Sequence, residues 1–221
     1  MLTQSTPPID LQGETCQRLM SAATEVFAEQ GFHSATVREI CRRAHTNVAA
    51  INYHFRDKEH LYTEVLRQSL RHSLEKYPLD LELGATATPA ERLRAFIRSF
   101  LLRIFDNDPA APFGRLMARE MIEPTRALDA IVSEVIRPIG EVLAAIVRDL
   151  LPAQATPDEA RYAYGSVVGQ CVYYLHSRPM LVRLHPELRY DDPAEVERLT
   201  GFITIFSLCA LEGLSRRIAA R

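Results

Sequence analysis

The sequence lacks the motifs that mark most enzymes and metal proteins. Its seven histidines are scattered, with no HExxH or ExxH pair, and no GxSxG, Walker or GxGxxG motif occurs. We therefore expect no catalysis, no metal and no cofactor. The four cysteines form no CxxC pair and are Cys16, Cys41, Cys171 and Cys209. Reduced, mostly buried thiols are the expected state, with redox sensing as the alternative.

The sequence also lacks a strong charge of one sign and a long apolar run. Its 26 Lys and Arg against 28 Asp and Glu leave a net charge of −2, so no global basic field marks it as a nucleic-acid binder. No apolar run approaches 18 residues, and the first residues lack the basic start and apolar core of a signal peptide. We expect a cytoplasmic protein with no membrane span.

Residues 36–55, TVREICRRAHTNVAAINYHF, contain two short helical patterns around a polar corner. Thr36 can cap the first helix, and Glu39 can complete a capping box. The inward face of this helix is predicted to contain Val37, Ile40, Cys41 and Ala44. Asn47 is a good N-cap for the second helix. Its inward face is predicted to contain Val48, Ile51 and Phe55. Two short helices joined in this way form a helix-turn-helix.

The outward face of the second helix has the residue types of a DNA reader. Ala49 and Ala50 are small and allow the backbone close to base edges. Asn52 can pair with adenine, whereas Tyr53 and His54 are types that more often hold phosphates. The alternative is a helical hairpin whose polar face is merely solvated.

The flanking sequence favours the DNA-binding interpretation. Residues 17–66 resemble the N-terminal DNA-binding domain of the TetR family of bacterial transcription regulators. The resemblance rests on three blocks in order, AAxxxFAExGF at 22–32, ATVREI at 35–40 and AAINYHFRDKEHLY at 49–62. One departure is His45, where the family usually has glycine. Histidine must then adopt a left-handed backbone, or the turn differs slightly.

The pattern and the resemblance together predict a set of DNA-contacting residues. These are Thr36, Arg38, Thr46, Asn47, Val48, Ala49, Ala50, Asn52, Tyr53, His54 and Lys58. The resemblance places Lys58 near a backbone phosphate at a helix N-terminus; the alternative is a solvated surface lysine. From 38 to 58, five basic residues stand against two acidic ones, so we expect affinity to depend on this local patch.

The whole chain is predicted to be all-α, because no alternating apolar pattern indicates a strand. Residues 1–12 are predicted to be a flexible arm, 13–58 the helix-turn-helix domain, and 59–221 a helical ligand-binding and dimerisation domain. Gly31 should end the first helix. Three helix starts share a cap residue, proline at N1 and glutamate at N3, and they lie at 88–91, 156–159 and 192–195.

A proline interrupts the helix predicted at 125–150. Its inward stripe is predicted as Leu128, Ile131, Val135, Ile139, Val142 and Ile146. Pro138 removes a hydrogen bond within this stripe, at a cost of about 3 kcal/mol in an ordinary helix. Two interpretations remain: a tolerated bend around the core, or a kink that opens a cavity beside it.

The last two long helices, 157–176 and 193–217, are apolar around more than one stripe. Such helices need a partner on two sides. A homodimer through a four-helix bundle satisfies this need, and the TetR resemblance implies the same arrangement.

The resemblance also implies an effector pocket in the helical domain. The second half is similar to the CecR-like branch through AREMIEPT at 118–125 and IVSEVIRPI at 131–139. The candidate lining residues are Phe100, Phe113, Met117, Met121, Tyr164, Cys171 and Tyr174, which can equally be simple core. Arg119, Glu120 and His176 can orient a ligand, but structural ion pairs are the favoured interpretation of Arg119 and Glu120.

The sequence thus predicts a homodimeric, ligand-responsive transcription factor, which in this family is usually a repressor. Its two recognition helices would enter major grooves of a palindromic operator in double-stranded DNA, about 34 Å apart. A small-molecule effector would release it. The alternative is a helical binding or scaffold protein with a vestigial helix-turn-helix. The intact outward residues of the second helix argue against this alternative.

Overall fold

The computed structural model describes residues 13–81, 83–106, 108, 112–190 and 192–221. The predicted flexible arm, residues 1–12, lies outside them. The described part of the chain is all-α without strands, as predicted. Its elements are α1 Glu14–Ser34, α2 Val37–Arg43, α3 Val48–Phe55, α4 Lys58–Lys76, α5 Pro89–Phe105, α6 Phe113–Ile122, α7 Ala127–Ile131, a π-helical segment Val132–Ile136, α8 Arg137–Leu150, α9 Pro157–His176, α10 Arg178–Leu184 and α11 Pro193–Ala219.

The chain forms two compact units. The first contains the described residues of Met1–Leu70 and Asp108–Ile131, and the second those of Arg71–Asn107 and Val132–Arg221. The chain passes from one unit to the other at three points: inside α4, between residues 107 and 108, and between α7 and the π-helical segment. The predicted boundary after residue 58 separates a DNA-binding region from a ligand-binding and dimerisation region. It is a division by function, so it stays a prediction.

The core of the first unit combines one face of α1 with residues from α2, α3 and α4. From α1 it takes Leu19, Ala23, Val26 and Phe27, all fully buried. Ile40, Ile51 and Phe55 are buried against them, as predicted. Val48 is 44% exposed, so its assignment to the inward face was wrong. Val48 is the first residue of α3 and precedes the first buried residue of that helix, Ile51, by three positions.

Local backbone signals end and begin the helices of this unit. Gly31 has φ 77° and breaks the regular geometry of α1, as expected of a glycine stop. His45 adopts φ 50°, the left-handed state that its place in the turn demands. The Thr36 and Asn47 side chains accept hydrogen bonds from the amides of Glu39 and Ala50, each at 3.2 Å.

Two of the predicted capping boxes are complete and two are not. Those opening α5 and α9, at Thr88 and Thr156, have both reciprocal hydrogen bonds. At the start of α2 the Glu39 carboxylate binds Arg42 and Arg43 instead. At the start of α11, Asp192 caps through the amide of Ala194, while the Glu195 carboxylate binds Arg198.

The second unit packs α5, α8, α9 and α11 around one apolar core. This core includes Phe96, Ile97, Leu101, Leu143, Val147, Val167, Cys171, Leu199, Ile203 and Leu211. By length and composition alone α11 could cross a membrane. The search of the sequence for apolar runs of 18 residues did not identify this helix. Core helices pass the same test, and Leu199, Ile203 and Leu211 place one face of α11 in this core.

The proline interruption is accommodated by the π-helical segment Val132–Ile136, which ends two residues before Pro138. A π turn holds more residues than an α turn, so the positions that follow rotate around the helix axis. Ile146 is buried as predicted, whereas Val142 is 42% exposed and the neighbouring Leu143 is fully buried. The predicted inward stripe was therefore wrong at Val142.

Candidate nucleic-acid interface and ligand cavity

The exposed face of α3 is held in place by two buried anchors. Ile51 and Phe55 pack into the core of the first unit, and Asn52 and Tyr53 consequently point outward. Tyr53 is 85% exposed. Of the predicted DNA-contacting residues, the exposed ones are Thr36, Arg38, Asn47, Val48, Ala49, Asn52 and Tyr53, and the partly buried ones are Thr46, Ala50, His54 and Lys58.

The two rings of this face are in contact with each other. Tyr53 and His54 meet edge to face, with ring centroids 4.9 Å apart and an interplanar angle of 85°. This contact restricts both side chains before any ligand arrives. A preordered tyrosine loses less conformational entropy when its hydroxyl forms a hydrogen bond.

The basic patch is partly neutralised inside the protein. Arg43 binds Glu29 on α1 at 2.7 Å and Glu39 at 2.9 Å, and Arg42 binds Glu39 at 2.7 Å. Hydrogen bonds from Arg42 and Arg43 lower the pKa of Glu39 to about 2. Arg38 and Arg56 are exposed, and neither of these guanidinium groups forms an ion pair with an acidic side chain among the described residues.

Lys58 has two acceptors within the protein. Its Nζ donates to the carbonyl oxygens of Phe32 at 2.7 Å and Ala35 at 2.9 Å, and it lies 4.3 Å from the centroid of the Phe32 ring. These carbonyls belong to the end of α1, where a helix leaves acceptors unsatisfied. Burial lowers the pKa of Lys58. The contact of Lys58 with a DNA phosphate stays a prediction. One N–H of its ammonium group is left to donate a hydrogen bond to such a phosphate.

A cavity of about 560 Å³ lies beside the π-helical segment, within the second unit. Among the predicted lining residues it includes Phe100 and Tyr164. Phe96 and Val168 also line the cavity but were not predicted to do so. Each lies one helical turn before or after a predicted lining residue, Phe96 before Phe100 on α5 and Val168 after Tyr164 on α9. The sequence prediction also missed the contribution of the π-helical segment and α8, from Val132, Ile136, Arg137, Ile139 and Gly140. Arg137 and Ile139, on either side of Pro138, border this cavity, and both interpretations of the proline stay predictions.

The other five predicted lining residues are not brought to this cavity. Cys171 and Tyr174 are in or against the apolar core of the same unit. Phe113, Met117 and Met121 lie on α6, which belongs to the first unit. A ligand contact by any of these five stays a prediction.

Arg119 and Glu120 make structural contacts within the first unit. Arg119 Nη2 donates to the carbonyl oxygen of Glu29 at 2.8 Å. The buried Glu120 carboxylate accepts from the hydroxyl of Tyr62 at 2.9 Å and from the amide of Thr125 at 2.7 Å. The structural interpretation is thus the better one, although these are hydrogen bonds and not the predicted ion pairs.

The cysteines and other potential metal ligands are dispersed. Cys16, Cys41 and Cys171 are buried thiols, and Cys209 is exposed. Within the described ranges no three His, Cys, Asp or Glu side chains are grouped to hold a metal ion.

The outer faces of α9 and α11 expose large apolar side chains. These are Tyr162, Tyr173, Phe202, Ile205 and Phe206. Gly165 and Gly169 are also exposed on α9, and a Cβ added at either would meet nothing within 4 Å. The two glycines leave a shallow strip of helix surface next to the aromatic side chains.

Two family models match the chain. That for bacterial regulatory proteins of the tetR family matches residues 19–65. That for the C-terminal domain of the HTH-type transcriptional dual regulator CecR matches residues 89–213.

Individual proteins match over nearly the whole chain. The sequence is 26% identical to the HTH-type transcriptional dual regulator CecR of Shigella flexneri, over 96% of this chain and 98% of that one. It is 26% identical to the HTH-type transcriptional repressor NicS of Pseudomonas putida, over 91% and 93%. The crystal structure of AibR in complex with isovaleryl coenzyme A and operator DNA has a TM-score of 0.64 at 15% identity, over 87% and 96%, which shows a shared fold.

Proposed function

The chain belongs to the TetR family of bacterial transcription regulators and carries a CecR-type C-terminal domain, and from this premise we propose that it is a homodimeric repressor released by a small-molecule effector. Its operator is a palindrome in double-stranded DNA. The protein works in the cytoplasm, where that DNA is, and has no catalytic role. The observation that carries the proposal is the outward face of α3, anchored by Ile51 and Phe55 and bearing Asn52 and Tyr53.

In the proposed complex α3 enters the major groove by its N-terminal end. Ala49 and Ala50 allow close approach, and Asn52 reads an adenine. The exposed Tyr53 hydroxyl and the Arg38 guanidinium hold phosphates, which set the register of the helix but carry no sequence information.

The dimer is proposed to form through the exposed apolar faces of α9 and α11. Phe202, Ile205 and Phe206 would be buried against the same faces of a second copy, and the strip at Gly165 and Gly169 would admit a close helix. A two-fold dimer presents its recognition helices about 34 Å apart, which matches successive major grooves on one side of the DNA.

Effector control is proposed to act through α4. This helix begins at Lys58 in the first unit and ends at Lys76 in the second, so a ligand that favours one packing of the second unit can reorient it. Release of DNA then requires that the effector binds the two conformations with different affinity. The relative NicS is a repressor by name and CecR a dual regulator, so activation at some promoters is the second candidate.

The first experiment is a fluorescence anisotropy titration of the purified protein with DNA from upstream of its own gene, across a salt series. We expect tight binding to one palindromic segment, far above a scrambled control and weakening steeply with salt. Equally weak binding to both would favour the scaffold alternative, and a genome-wide selection of bound fragments would then decide between a remote operator and none.

Variants of α3 test the contacts themselves. Asn52→Ala should relax the preference at one base position, by about 1–3 kcal/mol. Tyr53→Phe should weaken binding to all sequences alike, since it removes a phosphate contact. An unchanged sequence profile for Asn52→Ala would exclude Asn52 from base reading.

A further inference from the structure

Arg103 on α5 is a buried cation without an acidic partner in the part of the chain that the structure describes. Its side chain is in the core of the second unit and the residue is 3% exposed. Its Nε donates to the carbonyl oxygen of Ser99 at 3.2 Å. No carboxylate among the described residues forms an ion pair with it. On the same helix, Arg94 and Arg98 are more exposed, and both bind Glu197.

The surroundings of Arg103 leave its charge uncompensated. Burial lowers the pKa of Arg103 to about 10, so the guanidinium is still charged near neutral pH. Burial also raises the pKa of the neighbouring Cys171 thiol to about 12, so this thiol supplies no negative charge there. An unpaired charge in an apolar interior is costly, and a suitable counter-ion would recover much of that cost.

The guanidinium lies just behind the inner wall of the cavity. Phe96, Phe100 and Arg103 follow one another at four- and three-residue spacing, which places them on one face of α5. Phe96 and Phe100 line the cavity, and the guanidinium carbon of Arg103 is 5.7 Å from the centroid of the Phe100 ring. On α9, Val168 lines the cavity and Cys171 follows it by three residues.

The cavity wall itself offers little that could bind a charged group. The only charged lining residues among those described are Arg137 and Glu141, both exposed at the solvent side. The remainder of the lining is almost entirely apolar. A ligand that fills the cavity therefore needs an apolar body, and the buried charge of Arg103 lies beside the Phe100 ring that lines it.

We propose that Arg103 anchors the carboxylate of an amphipathic monoanionic effector whose apolar body lies against Phe96, Phe100 and Val168. The inference rests on the proposed function and specifies the chemical class of its effector. A half-buried Phe100 ring that turns aside opens the way to the guanidinium. A planar guanidinium accepts a carboxylate through two parallel hydrogen bonds. One negative charge balances one positive charge, whereas a phosphate monoester would leave excess charge in an apolar site.

The test is isothermal titration calorimetry of the full-length protein with straight-chain carboxylates of increasing length. Each is compared with the primary alcohol and the alkyl phosphate of the same length. We expect one length range in which the carboxylate binds at least about tenfold more tightly than the alcohol, the factor that charge-assisted hydrogen bonds supply. Equal affinities, or no binding of a carboxylate of any length, would overturn the inference.

Arg103→Met supplies the matched variant, because methionine keeps an unbranched apolar stem without the charge. It should bind carboxylate and alcohol equally and, without ligand, be as stable as the wild type or more so. Arg98→Met, on the same helix but bound to Glu197, is the control and should retain the preference. A preference that survives in Arg103→Met overturns the inference. If Arg103→Met does not fold, Arg103→Lys and the wild-type series decide.

The same samples separate this inference from the proposed function. Operator binding is measured by anisotropy with and without the bound carboxylate. Intact operator binding with no carboxylate preference overturns the inference and leaves the function standing. A carboxylate preference in a protein that binds no operator supports the inference about the cavity and contradicts the proposed function.

Discussion

The hydroxyl of Tyr62 on α4 donates a hydrogen bond of 2.9 Å to the carboxylate of Glu120 on α6, and both side chains are almost completely buried. The carboxylate also accepts from the amide and the hydroxyl of Thr125, at 2.7 and 2.9 Å. Burial, with Glu120 beside it, raises the pKa of Tyr62, so the hydroxyl remains a donor well above neutral pH. One acidic side chain thus connects α4, α6 and the turn that follows α6.

Tyr62→Phe should lower the free energy of unfolding by about 1.5–3 kcal/mol, because it removes a donor from a buried charged acceptor. Urea unfolding followed by circular dichroism measures the change. Tyr53→Phe, the same substitution at an exposed position, should change it by less than about 0.5 kcal/mol. A Tyr62→Phe effect no larger than that of the control would mean that water replaces the lost hydroxyl.

His45→Gly should stabilise the protein by about 1 kcal/mol or less. The histidine adopts φ 50°, a conformation that costs an L-residue about 1–2 kcal/mol. Glycine removes this strain, but it also increases the conformational entropy of the unfolded chain, which offsets part of the stabilisation. His72→Gly, at an exposed position in the last third of α4, is the control and should destabilise by about 1 kcal/mol. Thermal or urea unfolding measures both changes in stability. A gain for His45→Gly with a loss for His72→Gly would support backbone strain at His45, and equal losses for the two variants would refute it.

The Glu39 cluster should make stability depend on pH in the acid range. The folded pKa of Glu39 is about 2 against an ordinary value of 4.5, so its stabilising contribution is complete above about pH 4.5 and is lost as the pH falls towards 2. Glu39→Gln should therefore lower stability at neutral pH and flatten the change between pH 4.5 and 2. Urea unfolding at several pH values measures this, with Glu75→Gln on α4 as control. Parallel curves for wild type and Glu39→Gln would contradict it.

Lys58 and Arg38 should differ in what they contribute to stability. Lys58→Ala removes two hydrogen bonds from an ammonium group to the carbonyls that end α1, and we expect a loss of about 1–3 kcal/mol in unfolding free energy. Arg38→Ala should leave stability within about 0.5 kcal/mol but weaken binding to all DNA sequences.

The salt dependence of DNA binding completes this comparison. Removing one phosphate contact reduces the slope of log affinity against log salt by about 0.9. We expect this reduction for Arg38→Ala. The same reduction for Lys58→Ala would support the phosphate contact predicted for Lys58, and an unchanged slope would leave it a purely structural residue.

Sequence reasoning was most reliable where the interactions were local. The starts of α3, α5, α9 and α11 were recognisable because a cap residue and the backbone amide that donates to it lie within three positions of each other. The strained turn at His45 was recognisable because a missing glycine has a known steric cost. The short helix α10 was not predicted, because a proline near its start and seven residues give too little periodicity.

The lining of the cavity was harder to predict from the same sequence. Phe100 and Tyr164 were recognised as lining candidates, but Phe113 and Cys171 lie elsewhere in the fold. Helical spacing shows that a side chain is on an apolar face, yet it does not show whether that face borders a cavity or solid core. The predicted stripe was also wrong at Val142, because helical spacing allows either Val142 or Leu143 between Ile139 and Ile146, and it is Leu143 that is buried.

The sequence by itself determined the helices with clear capping signals, the helix-turn-helix and the outward residues of α3, because caps, turn strain and hydrophobic periodicity act between residues a few positions apart. Only the tertiary structure decided which charges are used internally. Arg43 binds Glu29, Lys58 binds the end of α1, and Arg103 is buried with no acidic partner among the described residues. Residues distant in the chain contribute to each of these environments. Such long-range packing decides whether a basic side chain stabilises the fold or remains available to a ligand.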